Sequence, residues 1–99
     1  MQTKYLSVIV PVLNEQWNIK PLYNEIRNIV LSDNIDCEII FINDFSNDET
    51  SQKILEIIKK DTNTRYIENK KNLGIYDSWK KGLEQANGEI VCLMMRPPN

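Results

Sequence analysis

Apolar positions along the chain alternate between two patterns, unbroken runs and periodic stripes. Tyr5-Leu6-Ser7-Val8-Ile9-Val10 is rich in β-branched residues and nearly all apolar, as in a strand covered on both faces of a parallel sheet. Pro11 is expected to end it, with Asn14-Glu15 in the loop beyond. Ile19, Leu22, Tyr23, Ile26, Ile29 and Val30 then recur at spacings of three and four, which makes one face of a helix. Asn18 reads as its N-cap, Pro21 suits its first turn, and Ser32-Asp33-Asn34 breaks it.

The same pair of patterns repeats. Cys37 to Ile42 is a second continuous run, and it stops in the polar cluster Asn43-Asp44-Phe45-Ser46-Asn47-Asp48-Glu49-Thr50. A second helix follows, capped by Asp48 or Ser46, with Ile54, Leu55, Ile57 and Ile58 as its buried face and Asp61-Thr62-Asn63 closing it. Arg65-Tyr66-Ile67-Glu68 reads as a short third strand, and Asn69 to Gly74 as a turn in which Gly74 is free to take positive φ. A third helix is predicted from about Tyr76 to Ala86, with Trp79, Leu83 and Ala86 inward and Asn87-Gly88 as its C-cap. Glu89 to Met94 is a fourth strand, and Met95-Arg96-Pro97-Pro98-Asn99 is irregular.

The order β-α-β-α-β-α-β, with right-handed crossovers, predicts an α/β domain over residues 1–94. It is a small, open, mainly parallel sheet with helices on both faces, followed by an irregular tail over 95–99. Ninety-nine residues allow one domain, and no internal repeat or low-complexity segment is visible.

Composition narrows the chemistry. Hydrophobic residues make up 41% and charged residues 26%, and the net charge is -2. That balance leaves no electrostatic footprint for nucleic acid. The stretch Asn69-Lys70-Lys71-Asn72 is too short for a basic arm and reads as a solvated loop. There is no histidine and no Cys-x-x-Cys, which excludes the usual zinc sites, a Ser-His-Asp triad and a Cys-His pair. Cys37 and Cys92 lie in apolar runs and read as buried, reduced thiols. No apolar run is long enough to span a bilayer and no secretory signal is visible, so a reducing, cytoplasmic setting is the default expectation.

In an open α/β sheet, ligands bind at the carboxyl ends of the strands. Two polar clusters sit there, Pro11-Val12-Leu13-Asn14-Glu15 and Asn43-Asp44-Phe45-Ser46, and they face each other if strands one and two are neighbours. Asp44 or Glu15 could accept hydrogen bonds from a base N–H or ribose hydroxyls; from spacing alone, Asp44 and Ser46 serve equally well as caps of helix two. Tyr76 and Trp79, one turn apart, could stack a base or sugar, although packing is the better reading of Trp79. With neither G-x-G-x-x-G nor G-x-x-x-x-G-K-[ST], a Rossmann dinucleotide enzyme and a P-loop ATPase are disfavoured. A receiver-like signalling domain needs an acidic pair after strand one and an aspartate after strand three, where this chain has Asn14-Glu15 and Asn69-Lys70.

Four stretches together resemble the family 2-like glycosyltransferases of GT-A fold: Leu6 to Glu15, Glu38 to Thr50, Asn72-Leu73-Gly74, and Ala86-Asn87-Gly88-Glu89-Ile90-Val91. The resemblance implies the nucleotide-diphospho-sugar-binding half of an inverting transferase. It further implies that Pro11, Asn14 and Glu15 line the nucleotide pocket, that Asp44 holds the base of a UDP- or GDP-sugar, that Ser46 shapes that loop, and that Asn72 and Gly74 turn beside the nucleotide. Mg2+ or Mn2+ would offset charge on the leaving diphosphate, and a carboxylate base would deprotonate a saccharide or lipid-linked acceptor, in cell-surface polysaccharide or lipid-linked sugar synthesis.

The chain departs from that pattern in places. Asn43 stands where the family often has an aspartate, Phe45 where a glycine is common, and Leu13 in place of a frequent tyrosine. After Cys92-Leu93-Met94 the family has a metal-ligating Asp-x-Asp, whereas this chain reads Met95-Arg96-Pro97-Pro98-Asn99, with no carboxylate side chain beyond Glu89. The expectation is therefore a donor-binding fragment, inactive alone, without metal or catalytic-base residues. The alternative is a non-catalytic nucleotide-binding or assembly module, self-associating through the exposed sheet edge.

Overall fold

The computed structural model of the chain describes residues 5–95. The elements are β1 (Tyr5–Val12), α1 (Ile19–Ser32), β2 (Asp36–Asn43), α2 (Thr50–Ile58), β3 (Thr64–Glu68), α3 (Ile75–Gln85) and β4 (Ile90–Leu93). The strands form one parallel sheet in the order β3-β2-β1-β4. This is the α/β fold the strand-and-helix pattern predicts. Met95 has no regular structure, and the rest of the expected tail, residues 96–99, lies outside the described residues.

The pleat divides the core in two. Val8, Val10 and Val12 of β1 and Cys37, Ile39 and Phe41 of β2 turn to one face. There they pack with Ile19, Ile26 and Val30 of α1 and Ile54 and Ile57 of α2. Ile9, Ile40 and Ile42 turn to the other face, where Trp79 of α3, Ile67 and Ala86 cover them. Gly82 brings α3 close to β1, since a Cβ there would lie 2.4 Å from the Cγ2 of Ile9.

Several sequence expectations are corrected. Pro11 does not end β1, which runs on to Val12. The Ile9 carbonyl accepts from Met94 on the β4 side, and the Val12 carbonyl accepts from Asp44 on the β2 side. By strand alternation the imide nitrogen of Pro11 points to the β4 side, where pairing has already ended at Ile9↔Leu93. No ladder bond is lost. Asn18 sits at the N-cap of α1 but makes no side-chain cap. Its amide instead donates to Glu15 Oε2 at 2.7 Å.

Ile29, Leu55 and Leu83, read as inward-facing, are exposed. Each lies on the flank of its stripe, and the sheet covers only the centre; on α3 the buried residues are Ser78 and Gly82. Cys92 is exposed while Cys37 is buried. Gly88 is not a left-handed cap, for Gly74 is the glycine with positive φ. Gly88 is small because a Cβ would meet the backbone nitrogen and Oγ of Ser7, each at 2.6 Å.

Candidate functional site at the carboxyl end of the sheet

β1 and β2 are neighbours in register through Val12↔Asn43, so their loops emerge side by side. The two polar clusters are bonded to one another. The Asn14 N–H donates to Ser46 Oγ at 2.9 Å, and the Asn47 N–H donates to Asn14 Oδ1 at 2.9 Å. The Glu15 N–H donates to Thr50 Oγ1 at 2.9 Å, which ties the first loop to the start of α2. The Glu15 carbonyl receives the N–H groups of Asn18 and Ile19. Asn14 takes φ 52, a left-handed conformation that asparagine tolerates.

Asp44 is buried just beyond β2 and joins three elements. Its Oδ1 accepts from the Leu73 N–H at 2.7 Å and from Asn69 Nδ2 at 3.0 Å, and its Oδ2 accepts from the Gly74 N–H at 3.0 Å. The carboxylate thereby fixes the turn leading into α3, where Gly74 takes φ 89. Asn72 lies exposed on that turn.

Asn43, where the resemblance expects a carboxylate, is buried. Its Oδ1 accepts from both the N–H and the hydroxyl of Ser46, and its Nδ2 donates to the Tyr66 hydroxyl at 3.4 Å. The neutral amide thus shapes the loop from within. Neither residue read as a cap of α2 holds that position, because the N-cap is Glu49, which makes no side-chain cap bond; Asp48, one residue earlier, accepts the Thr50 N–H at 2.9 Å and the Thr50 hydroxyl. Burial pushes the Asp48 carboxyl up, but the Thr50 hydroxyl and the Thr50 and Gln16 N–H groups outweigh it and leave it below the usual aspartate range.

Pro11, Glu15 and Asp44 are thus buried supports, while Asn14, Asn72 and Gly74 are exposed and Ser46 is intermediate. Sequence reading missed Asn69 and Ser78, both fully buried. Asn69 looked like part of a solvated basic loop. Its Nδ2 donates to Asp44 and to Ser78 Oγ, and its buried Oδ1 has no hydrogen-bond partner. The available signal was position, directly after β3 at the same sheet end as Asp44. Trp79 packs in the core as expected and donates Nε1–H to the Met94 carbonyl at 2.9 Å. Tyr76, exposed, meets it edge-on with centroids 5.7 Å apart.

Hard divalent cations take oxygen ligands. After β4 the described chain offers Met94 and Met95, and among the described residues no three His, Cys, Asp or Glu side chains form a metal-holding group. These residues do not fit an Mg2+ or Mn2+ site.

Residues 7–94 match the profile of "Glycosyl transferase family 2". A GalNAc(5)-diNAcBac-PP-undecaprenol beta-1,3-glucosyltransferase of Campylobacter jejuni is 34% identical over 90% of this chain and 28% of its own length. A dolichol-phosphate mannosyltransferase of Pyrococcus furiosus is 29% identical over 90% of this chain and 24% of its own. Among solved structures, the mannosyltransferase PcManGT of Pyrobaculum calidifontis, in complex with GDP-Man and Mn2+, superposes with a TM-score of 0.79 at 22% identity. That likeness covers 92% of this chain and 27% of that one, and it is a likeness of fold. The chain spans less than a third of the length of the curated relatives it matches.

Proposed function

The chain belongs to glycosyl transferase family 2, and from that premise we propose that it forms the part of an inverting sugar transferase that binds the nucleotide-diphosphate-sugar donor. The observation that carries the reading is the hydrogen-bonded union of the loops after β1 and β2 with the turn before α3, through Asn14–Ser46, Asn14–Asn47 and Asp44–Leu73/Gly74. It makes one polar rim at the end of the sheet where α/β folds take ligands. In this reading the donor carries UDP or GDP. Asn14, Ser46, Asn72 and Gly74 border it, and Pro11, Glu15 and Asp44 hold the rim in shape, Asp44 nearest the base. The acceptor class is a saccharide or a lipid-linked acceptor, in keeping with the names of the relatives. The setting is the cytoplasm or its membrane face; no helix among the described residues is long and apolar enough to cross a membrane.

On these residues alone the donor is held but not turned over, because the described residues offer neither a metal-holding group nor a carboxylate after β4. Calorimetry with UDP and GDP, with and without Mn2+, is expected to show weak binding that the metal barely changes. A transfer assay on the same chain is expected to show no product. Tight, Mn2+-dependent binding or measurable sugar transfer would refute this account.

A second reading, an assembly module reusing the fold, is favoured by one feature. β4 is an edge strand, uncharged over Ile90–Leu93, with Ile90, Val91 and Leu93 all exposed. In this reading a second copy of the chain covers that edge.

A further inference from the structure

Among the described residues, three besides glycine take positive φ: Asn14, Asn34 and Phe45. Asparagine enters the left-handed region readily, since its short polar side chain bonds locally. Phenylalanine does not, and a bulky residue at φ 64 is a genuine outlier. The loop imposes the conformation from both sides. Asn43 before it is buried and bonded to Ser46, Asp44 is anchored to the turn before α3, and Ser46 and Asn47 after it are bonded to Asn14. Backbone strain of this kind persists where neighbours over-determine it, and it collects at ligand sites.

Packing among the described residues supplies no reason for the ring. Phe45 is 53% exposed and belongs to neither hydrophobic cluster. Glycine or asparagine would suit this backbone better and would leave no cavity. An exposed aromatic held in strain, in the middle of the rim that unites Asn14, Asp44 and Ser46, offers a flat apolar face to a ligand at that rim.

We infer that Phe45 is the platform on which the base of the donor nucleotide stacks, and thus a residue that selects for the nucleoside part of the donor. The inference rests on the donor-binding reading and deepens it. Stacking needs only a π-face, so purine and pyrimidine both bind, with the larger guanine gaining more. It also gives the rim an apolar contact that its buried carboxylates and amides do not provide.

The test uses the chain with Phe45→Gly, Phe45→Asn and Phe45→Trp, titrated with GDP, UDP and inorganic pyrophosphate, alongside thermal melts. The Gly and Asn variants are expected to melt no lower than the parent, because strain is relieved. They should bind GDP about 10-fold or more weaker, and UDP several-fold weaker, the range that loss of one stacked base produces. Pyrophosphate, which has no base, should bind all four proteins alike, and Phe45→Trp should keep nucleotide affinity. A merely structural Phe45 would instead lower the melting temperature and leave the ratio of nucleotide to pyrophosphate affinity unchanged. If the parent binds both nucleotides and the ringless variants bind them equally well, the donor reading stands and this inference is overturned. If the parent binds neither nucleotide, the donor reading itself falls and the platform with it.

Discussion

Two glycines of this chain are defined by what a methyl group would strike. At Gly88 the obstacle is the backbone nitrogen of Ser7, while at Gly82 it is the side chain of Ile9. Backbone in the middle of a paired strand cannot yield, whereas an isoleucine can change rotamer at some cost. Gly82→Ala is therefore expected to destabilise by about 1–3 kcal/mol from overpacking, offset by up to about 1 kcal/mol of improved helix propensity. Gly88→Ala is expected to cost more. Urea unfolding of the two variants gives the order, and a reversed order would show that the loop before β4 moves more freely than its hydrogen bond to Ser7 suggests. Neither close approach was legible in the sequence, which showed two glycines in or after a helical stripe and no sign of the strand each lies against. Asn69 was hidden for the same reason. The two lysines that follow it look solvated and are exposed, but its own side chain reaches back to Asp44 across 25 positions of chain.

At the level of elements, apolar runs announced β1, β2 and β4 and the stripes every helix, because a strand covered by neighbours leaves little room for polar residues; β3, with Arg65 and Glu68, showed only as a short segment between polar turns. Among the buried polar side chains of the strands, which include Ser7, Asn43 and Thr64, Glu38 is the carboxylate. Its Oε2 accepts from the Ser7 hydroxyl at 2.6 Å and the Asn87 N–H at 2.7 Å, and its Oε1 accepts from Arg65 at 2.9 Å. Arg65 carries the clamp on to the Gln85 carbonyl at 2.6 Å, so one group ties β1, β2, β3 and the end of α3 together. Burial alone would raise the Glu38 pKa, yet the Ser7 and Asn87 donors and the Arg65 charge hold it below the ordinary glutamate value of 4.5. A carboxyl group whose pKa falls on folding stabilises the fold fully above its unfolded value, and that contribution is lost as pH falls through the folded one. Stability is thus expected to decline from about pH 4.5 downward, with Asp48 and Asp61 adding their own share below about 3.8. Glu38→Gln should lower the melting temperature at pH 7 and flatten its fall between pH 5 and pH 3 (roughly the window set by linkage). A variant melting with the parent's pH slope would remove Glu38 from the account.

For the whole molecule, β4 is the open question of surface chemistry. The other outer strand, β3, ends in Glu68 and carries Arg65, charges that discourage pairing with another sheet, and β4 has none. If a second copy covers β4, elution in size-exclusion chromatography should move toward a dimer as concentration rises, and Val91→Lys should hold the chain as a monomer. A parent that stays monomeric at every concentration would leave the assembly reading without support. The fold class was readable because strand–helix alternation with short connections admits few topologies. Strand order was not, since nothing in a linear pattern says that the fourth strand returns to the side of the first.

That return has a consequence in time. β1 lies inside the sheet, between β2 and β4, and Leu6 pairs with both Cys37 and Ile90. Of these four strands β1 is made first, yet its second edge is satisfied only once the segment from Ile90 has been made. During synthesis one flank of Leu6-Ser7-Val8-Ile9 stays unpaired after β2 has docked, the period in which a nascent chain is most open to wrong partners. Closing that flank requires a contact between distant parts of the chain, the kind of contact that slows folding, and β4 brings only four residues to make it.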